Sequence, residues 1–151
     1  MKNTTKLMLV VLSVTTVLFC WLWIREIADH HSEMEELCQS YAEQAVGHLA
    51  EYEKFKDIND ESHIGQYWGS VSIFYAFKET LYLLPDDGGW NEARYKICDV
   101  LYDHMILAPD EVLLHLDEVL AAMEPIGEDF TSPRAWDTLN EVSYNLQYVW
   151  E

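Results

Sequence analysis

The chain has 151 residues, 50% of them hydrophobic and 13% aromatic, with 27 acidic side chains against nine Lys and Arg and a net charge of −18. All 27 acids lie beyond residue 25, where residues 25–151 hold seven Lys and Arg and a net charge of −20. A field this one-signed repels nucleic acid and anionic lipid headgroups and favours cations or a basic partner, while the apolar content is too high for a disordered chain.

Residues 7–24, LMLVVLSVTTVLFCWLWI, carry no charge, proline or glycine. A helix rising ~1.5 Å per residue makes this stretch ~27 Å long, close to the ~30 Å hydrocarbon thickness of a bilayer. A core helix of a small soluble protein would show a polar face. Here the polar side chains are Ser13, Thr15, Thr16 and the Cys20 thiol, and hydroxyls bond back to the carbonyls of their own helix. Lys2 and Lys6 would suit an export signal, but the apolar run exceeds the usual length of one and no small-residue cleavage site follows. Trp21 and Trp23, then Arg25 and Glu26, read as an aromatic belt meeting water. The expectation is an uncleaved single-pass anchor in the lipid bilayer of the cell membrane. Residues 1–6 form a short cytoplasmic N-terminus, residues 7–24 the transmembrane helix, and residues 25–151 an extracytoplasmic domain. Lys2, Lys6 and the terminal amine before the span, against Arg25 after it, favour that orientation.

Beyond the anchor the spacing is helical throughout. Ile27, His31, Met34, Cys38, Tyr41, Ala45, His48, Tyr52 and Phe55 alternate at steps of four and three, one stripe of a helix over residues 26–56. DINDES (57–62) ends it and offers Asn59, Asp60 or Ser62 as a cap. A second helix, roughly 62–84, is apolar on nearly every side, which predicts a central position; Gly65 and Gly69 would let a neighbour approach closely. PDDGG (85–89) breaks the chain. A third helix covers about 90–107, with Ile97, Leu101 and His104 on one side beside Cys98 and Met105. Pro109, Asp110 and Glu111 open a fourth, striped by Val112, Leu116, Val119 and Met123. PIGEDFTS (125–132) separates the last helix, capped by Ser132 with Pro133 in its first turn and Trp136, Leu139, Val142, Leu146 and Val149 facing inward. The predicted fold is all-α: an N-terminal single transmembrane helix followed by an acidic four- to five-helix bundle.

Reactive constellations are sparse. Di-iron bundles need Glu-x-x-His on two helices, and the chain has none. The metal candidates are Glu111, His115 and Glu118, spaced along one side of a helix; the competing reading is a solvated face opposite Leu116. Asp57, Asn59 and Glu61 alternate as in a calcium loop, but Ser62 and Trp68 stand where Gly and Glu are required. His31, His48 and His104 fall on apolar stripes, where a histidine bonded to a neighbouring helix is the ordinary role. No serine-hydrolase, phosphate-loop or HExxH motif occurs, so an enzyme has nothing to rest on and no cofactor is implied. Cys38 and Cys98 either pair as a disulfide or are two small buried thiols. Trp90, after two glycines, and Trp150, near the chain end, are the candidates for an exposed contact surface. The expected function is structural: a membrane-anchored bundle that docks on a protein partner at the outer face of the membrane. The alternative is a sensor-like domain that binds a ligand or metal through bundle histidines and carboxylates.

Overall fold

The computed structural model describes the backbone of residues 2–56, 62–85 and 89–148, and the side chains of residues 13–56, 64–85 and 89–146. Six helices make up almost all of it: α1 (Lys2–Phe55), α2 (Ser62–Leu83), α3 (Trp90–Leu107), α4 (Pro109–Leu114), α5 (Leu116–Glu128) and α6 (Pro133–Tyr148). The described residues contain no strand, in accord with an all-α chain. Two compact units divide the chain, Met1–Met34 and Glu35–Glu151.

The first unit lies within α1. Its side chains from Ser13 to His30 are all exposed, including Val17, Phe19, Trp23 and Ile24. Arg25 lies 3.6 Å from Asp29, one turn on, and 5.8 Å from the Trp21 ring. Among the described residues no helix is long and apolar enough to cross a membrane. Residues 7–12 of the predicted anchor lie outside the described side chains, which leaves Ser13–Ile24 as the described part of that run.

In the second unit the predicted stripes are right in part. On α1, Cys38 and Ala45 of the stripe are buried, Tyr41, His48 and Tyr52 are half-buried and Phe55 is exposed, while Ala42 and Leu49, outside the predicted stripe, are buried as well. Short side chains bring α1 and α2 together, and the Ser70 hydroxyl donates to the Ala45 carbonyl at 2.8 Å. Gly69 faces His48, whose Nδ1 would lie 3.4 Å from a Cβ there; a Cβ at Gly65 would meet nothing within 4 Å. Only one of the two glycines marks a close approach. Gly89 precedes α3 at φ 90, a left-handed backbone that a side chain would strain. On α3 the buried set is Asn91, Arg94, Cys98, Leu101 and Met105, at steps of three and four. Ile97 and His104, expected inside, are only half-buried.

Two boundaries differ from the sequence reading. The expected fourth helix is broken at His115 (φ −108, ψ 25), whose carbonyl accepts from the Glu118 and Val119 amides at 3.1 and 3.0 Å. Val112, Leu116, Val119 and Met123 stay buried across the break, so the core continues where the hydrogen-bond ladder does not. Then α5 runs on through Pro125, where a loop was expected, to Glu128. Proline removes one backbone donor from the last turn. Burial of Ile126 and Gly127 outweighs that loss, with Gly127 so close to α1 that a Cβ would sit 3.1 Å from Val46 Cγ2. The Gln39 side chain clasps the same turn, donating to the Gly127 carbonyl and accepting from the Phe130 amide. The core is closed by Phe77, stacked on Trp136 at 6.1 Å, and leaves a void of about 10 Å³ beside Met123 and Leu139.

Candidate functional site

The second helix is not wholly central. Val71, Phe74, Phe77 and Leu81 are buried, but Ile64, Trp68, Tyr75 and Tyr82 line an open side, with Tyr75 45% and Tyr82 64% exposed. Aromatic rings count as apolar in a hydropathy pattern, yet a tyrosine hydroxyl is content in water, so a helix apolar all round can still present one face to solvent. On α3 the adjoining side is Tyr95 and Tyr102, seven residues apart. Their rings meet those of α2 in two pairs, Tyr75–Tyr102 at 5.2 Å and Tyr82–Tyr95 at 5.1 Å.

Between the pairs lies Lys78, 5% exposed. Its ammonium donates to Asp99 Oδ1 at 2.6 Å and stands 3.6 Å from Glu79 Oε1. It also lies 5.3, 5.1 and 4.8 Å from the ring centroids of Tyr75, Tyr95 and Tyr102. Burial alone would lower its proton affinity. The hydrogen bond and charge of Asp99, with help from Tyr95, outweigh burial and raise the ammonium above the usual lysine range. The cation is thus held in its charged form by one carboxylate and three ring faces.

A second buried cation organises the α3–α6 side. Arg94 is held between Trp90 and Trp136, 5.9 and 5.6 Å from their rings, and donates to the Thr131 carbonyl at 3.0 Å. Trp136 Nε1 donates to the Phe130 carbonyl at 2.6 Å, so the loop before α6 is fixed from both sides. In that loop Asp129 accepts from the Thr131 hydroxyl and amide, which lowers its carboxyl. Cys38 and Cys98 are buried free thiols. Burial pushes Cys38 up to about 12, moderated by Arg94, and pushes Cys98 well above the usual thiol range, with Cys38 adding to the rise. The two thiols are therefore within electrostatic reach of each other and are protonated at neutral pH.

The other sequence candidates are dispersed. Trp90 is 51% exposed beside Arg94, well round α3 from Tyr95 and Tyr102; Trp150 lies outside the described residues. His115 Nδ1 comes within 3.6 Å of Glu118 Oε1. Among the described residues no group of three or more His, Cys, Asp or Glu that could hold a metal ion comes together. The His48 ring shares a 2.5 Å hydrogen bond with Gln66 Oε1, the ordinary role for a stripe histidine. Sequence reasoning missed both buried cations. Arg94 falls on the buried stripe of α3, and Lys78 interrupts an apolar helix; those were the available signals. Set against models of known families, curated proteins and solved structures, the chain matches none.

Proposed function

We propose that residues 7–24 anchor this chain in the cell membrane as a single pass, with the N-terminus cytoplasmic, and that its acidic helical domain docks on a protein partner outside. The docking reading is carried by one observation: a row of exposed aromatic side chains, Trp68, Tyr75 and Tyr82, along one side of α2. A monomer gains nothing by exposing rings it could bury, since each buried ring contributes on the order of 1.5–3 kcal/mol. The anchor is supported by the apolar side chains from Val14 to Ile24, all exposed and so available to lipid. Alkaline extraction of membranes tests it: the chain is expected to stay with the bilayer, and its release into the aqueous fraction would overturn the anchor. Photo-crosslinkers placed at several exposed bundle positions in the membrane test the docking. One recurrent protein adduct is expected, and its absence at every position would overturn this function.

A further inference from the structure

The open face has a repeat that selects the shape of what covers it. Trp68, Tyr75 and Tyr82 are spaced by seven, with Ile64 four residues before the first. A seven-residue repeat holds one side of a helix in register with a second helix packed along it. From Ile64 to Tyr82 the row runs ~27 Å, about five turns. We propose, building on the docking reading above, that a helix of the partner protein, rich in Lys and Arg beside an apolar seam, packs along α2 over this row.

The charge of the partner follows from the charge of the face. Glu79 and Asp99 border it with Lys78 as their shared cation, and Asp103 follows one turn along α3, so the margin is net acidic. The unit behind it, residues 35–151, holds 24 acidic side chains against six Lys and Arg, a net charge of −18. A second copy would bring the same charge to the same place and be repelled, and so would an anionic lipid surface. Lys78 also displays the chemistry on offer: three tyrosine faces already hold an ammonium at about 5 Å. The exposed sides of Tyr75 and Tyr82 present the same ring quadrupole to an incoming guanidinium.

The test uses the full chain in neutral detergent micelles and a labelled synthetic helix of about 20 residues, leucine on one side and arginine flanking it. A glutamate-flanked helix with the same leucines is the control, and vesicles of phosphatidylcholine with and without phosphatidylglycerol form a third arm. The arginine helix is expected to bind at least about tenfold more tightly than the glutamate helix, and Tyr75→Ala/Tyr82→Ala to weaken it about tenfold. Tyr75→Phe/Tyr82→Phe keeps the rings and is expected to bind like the parent. Far-UV circular dichroism checks that each variant stays folded. Equal binding of both helices, unchanged binding by the alanine variant, preferential capture of vesicles, or micromolar self-association through α2 would each overturn the proposal. Crosslinkers in the membrane separate the two levels. Adducts at Asp137 on α6 but none at Tyr75 or Tyr82 sink this site while docking stands, and no adduct anywhere sinks both.

Discussion

Removing Asp99 should cost far more than removing the cation it holds. In Asp99→Ala the Lys78 ammonium stays almost wholly buried, loses its 2.6 Å acceptor and keeps three ring faces and Glu79 at 3.6 Å. A hydrogen bond between charged groups contributes about 1.5–3 kcal/mol, and a buried pair broken on one side costs up to about 5. Asp99 is itself 47% exposed, so solvent screening places the loss at about 2 kcal/mol. The reverse change, Lys78→Met, leaves a carboxylate that water can reach and keeps the aliphatic packing, for a loss of about 1 kcal/mol or less. The double variant should match Lys78→Met, because the alanine harms only a cation that is no longer there. Because the folded Lys78 value lies above the unfolded one, the contribution of the pair is fully present at neutral pH and is lost only as pH rises through the folded value. The assay is urea unfolding of the full chain in mild detergent, followed by near-UV circular dichroism, with a thermal midpoint shift of about 4 °C per kcal/mol. Equal losses for the two single variants, or additive losses in the double, would refute a buried ammonium held by Asp99.

Two glycines should respond in opposite senses. Gly47→Ala meets nothing within 4 Å inside a helix and should stabilise by about 0.5–1 kcal/mol, whereas Gly127→Val drives a branched side chain into Val46 and should destabilise by about 1–3 kcal/mol, both read from urea midpoints. Burial lowers the His104 imidazole, opposed in part by Asp103, so the unfolded state takes up that proton first as pH falls through about 6.5. Stability should therefore decline with falling pH until the folded value is passed, by at most about 1.4 kcal/mol per pH unit, and His104→Gln should remove that part of the slope in a pH series. Cys38 and Cys98, buried and protonated, should resist a charged disulfide reagent in the folded chain and react once it is unfolded by urea; prompt native labelling would contradict the burial of both thiols.

How much of this was legible depended on how local the cause was. Pro109 with Asp110 and Glu111, and Ser132 with Pro133, mark helix starts through backbone chemistry that needs no neighbour, and α4 and α6 begin there. The third helix likewise spans Trp90–Leu107, bounded by Gly89 and by Ala108, whose helical conformation Pro109 disfavours. Pro125 shows the opposite case. A local rule ends the helix there, yet packing of Ile126 and Gly127 and the clasp of Gln39, 88 residues away, carry it onward. The break at His115 has no proline or glycine to announce it. Periodicity located the buried centres of stripes, such as Cys38–Ala45 and Leu101–Met105. It misjudged stripe ends and the outer side of α2, because a hydropathy pattern counts tyrosine as core without asking what stands opposite.

Composition and spacing alone determined an acidic, all-helical chain with an apolar leader, since charge and helical period are properties of the string itself. Only tertiary structure decided that Lys78 and Arg94 are enclosed by rings while Tyr75 and Tyr82 are open. Burial depends on which helix lies across the gap, and that neighbour is set by residues dozens of positions away.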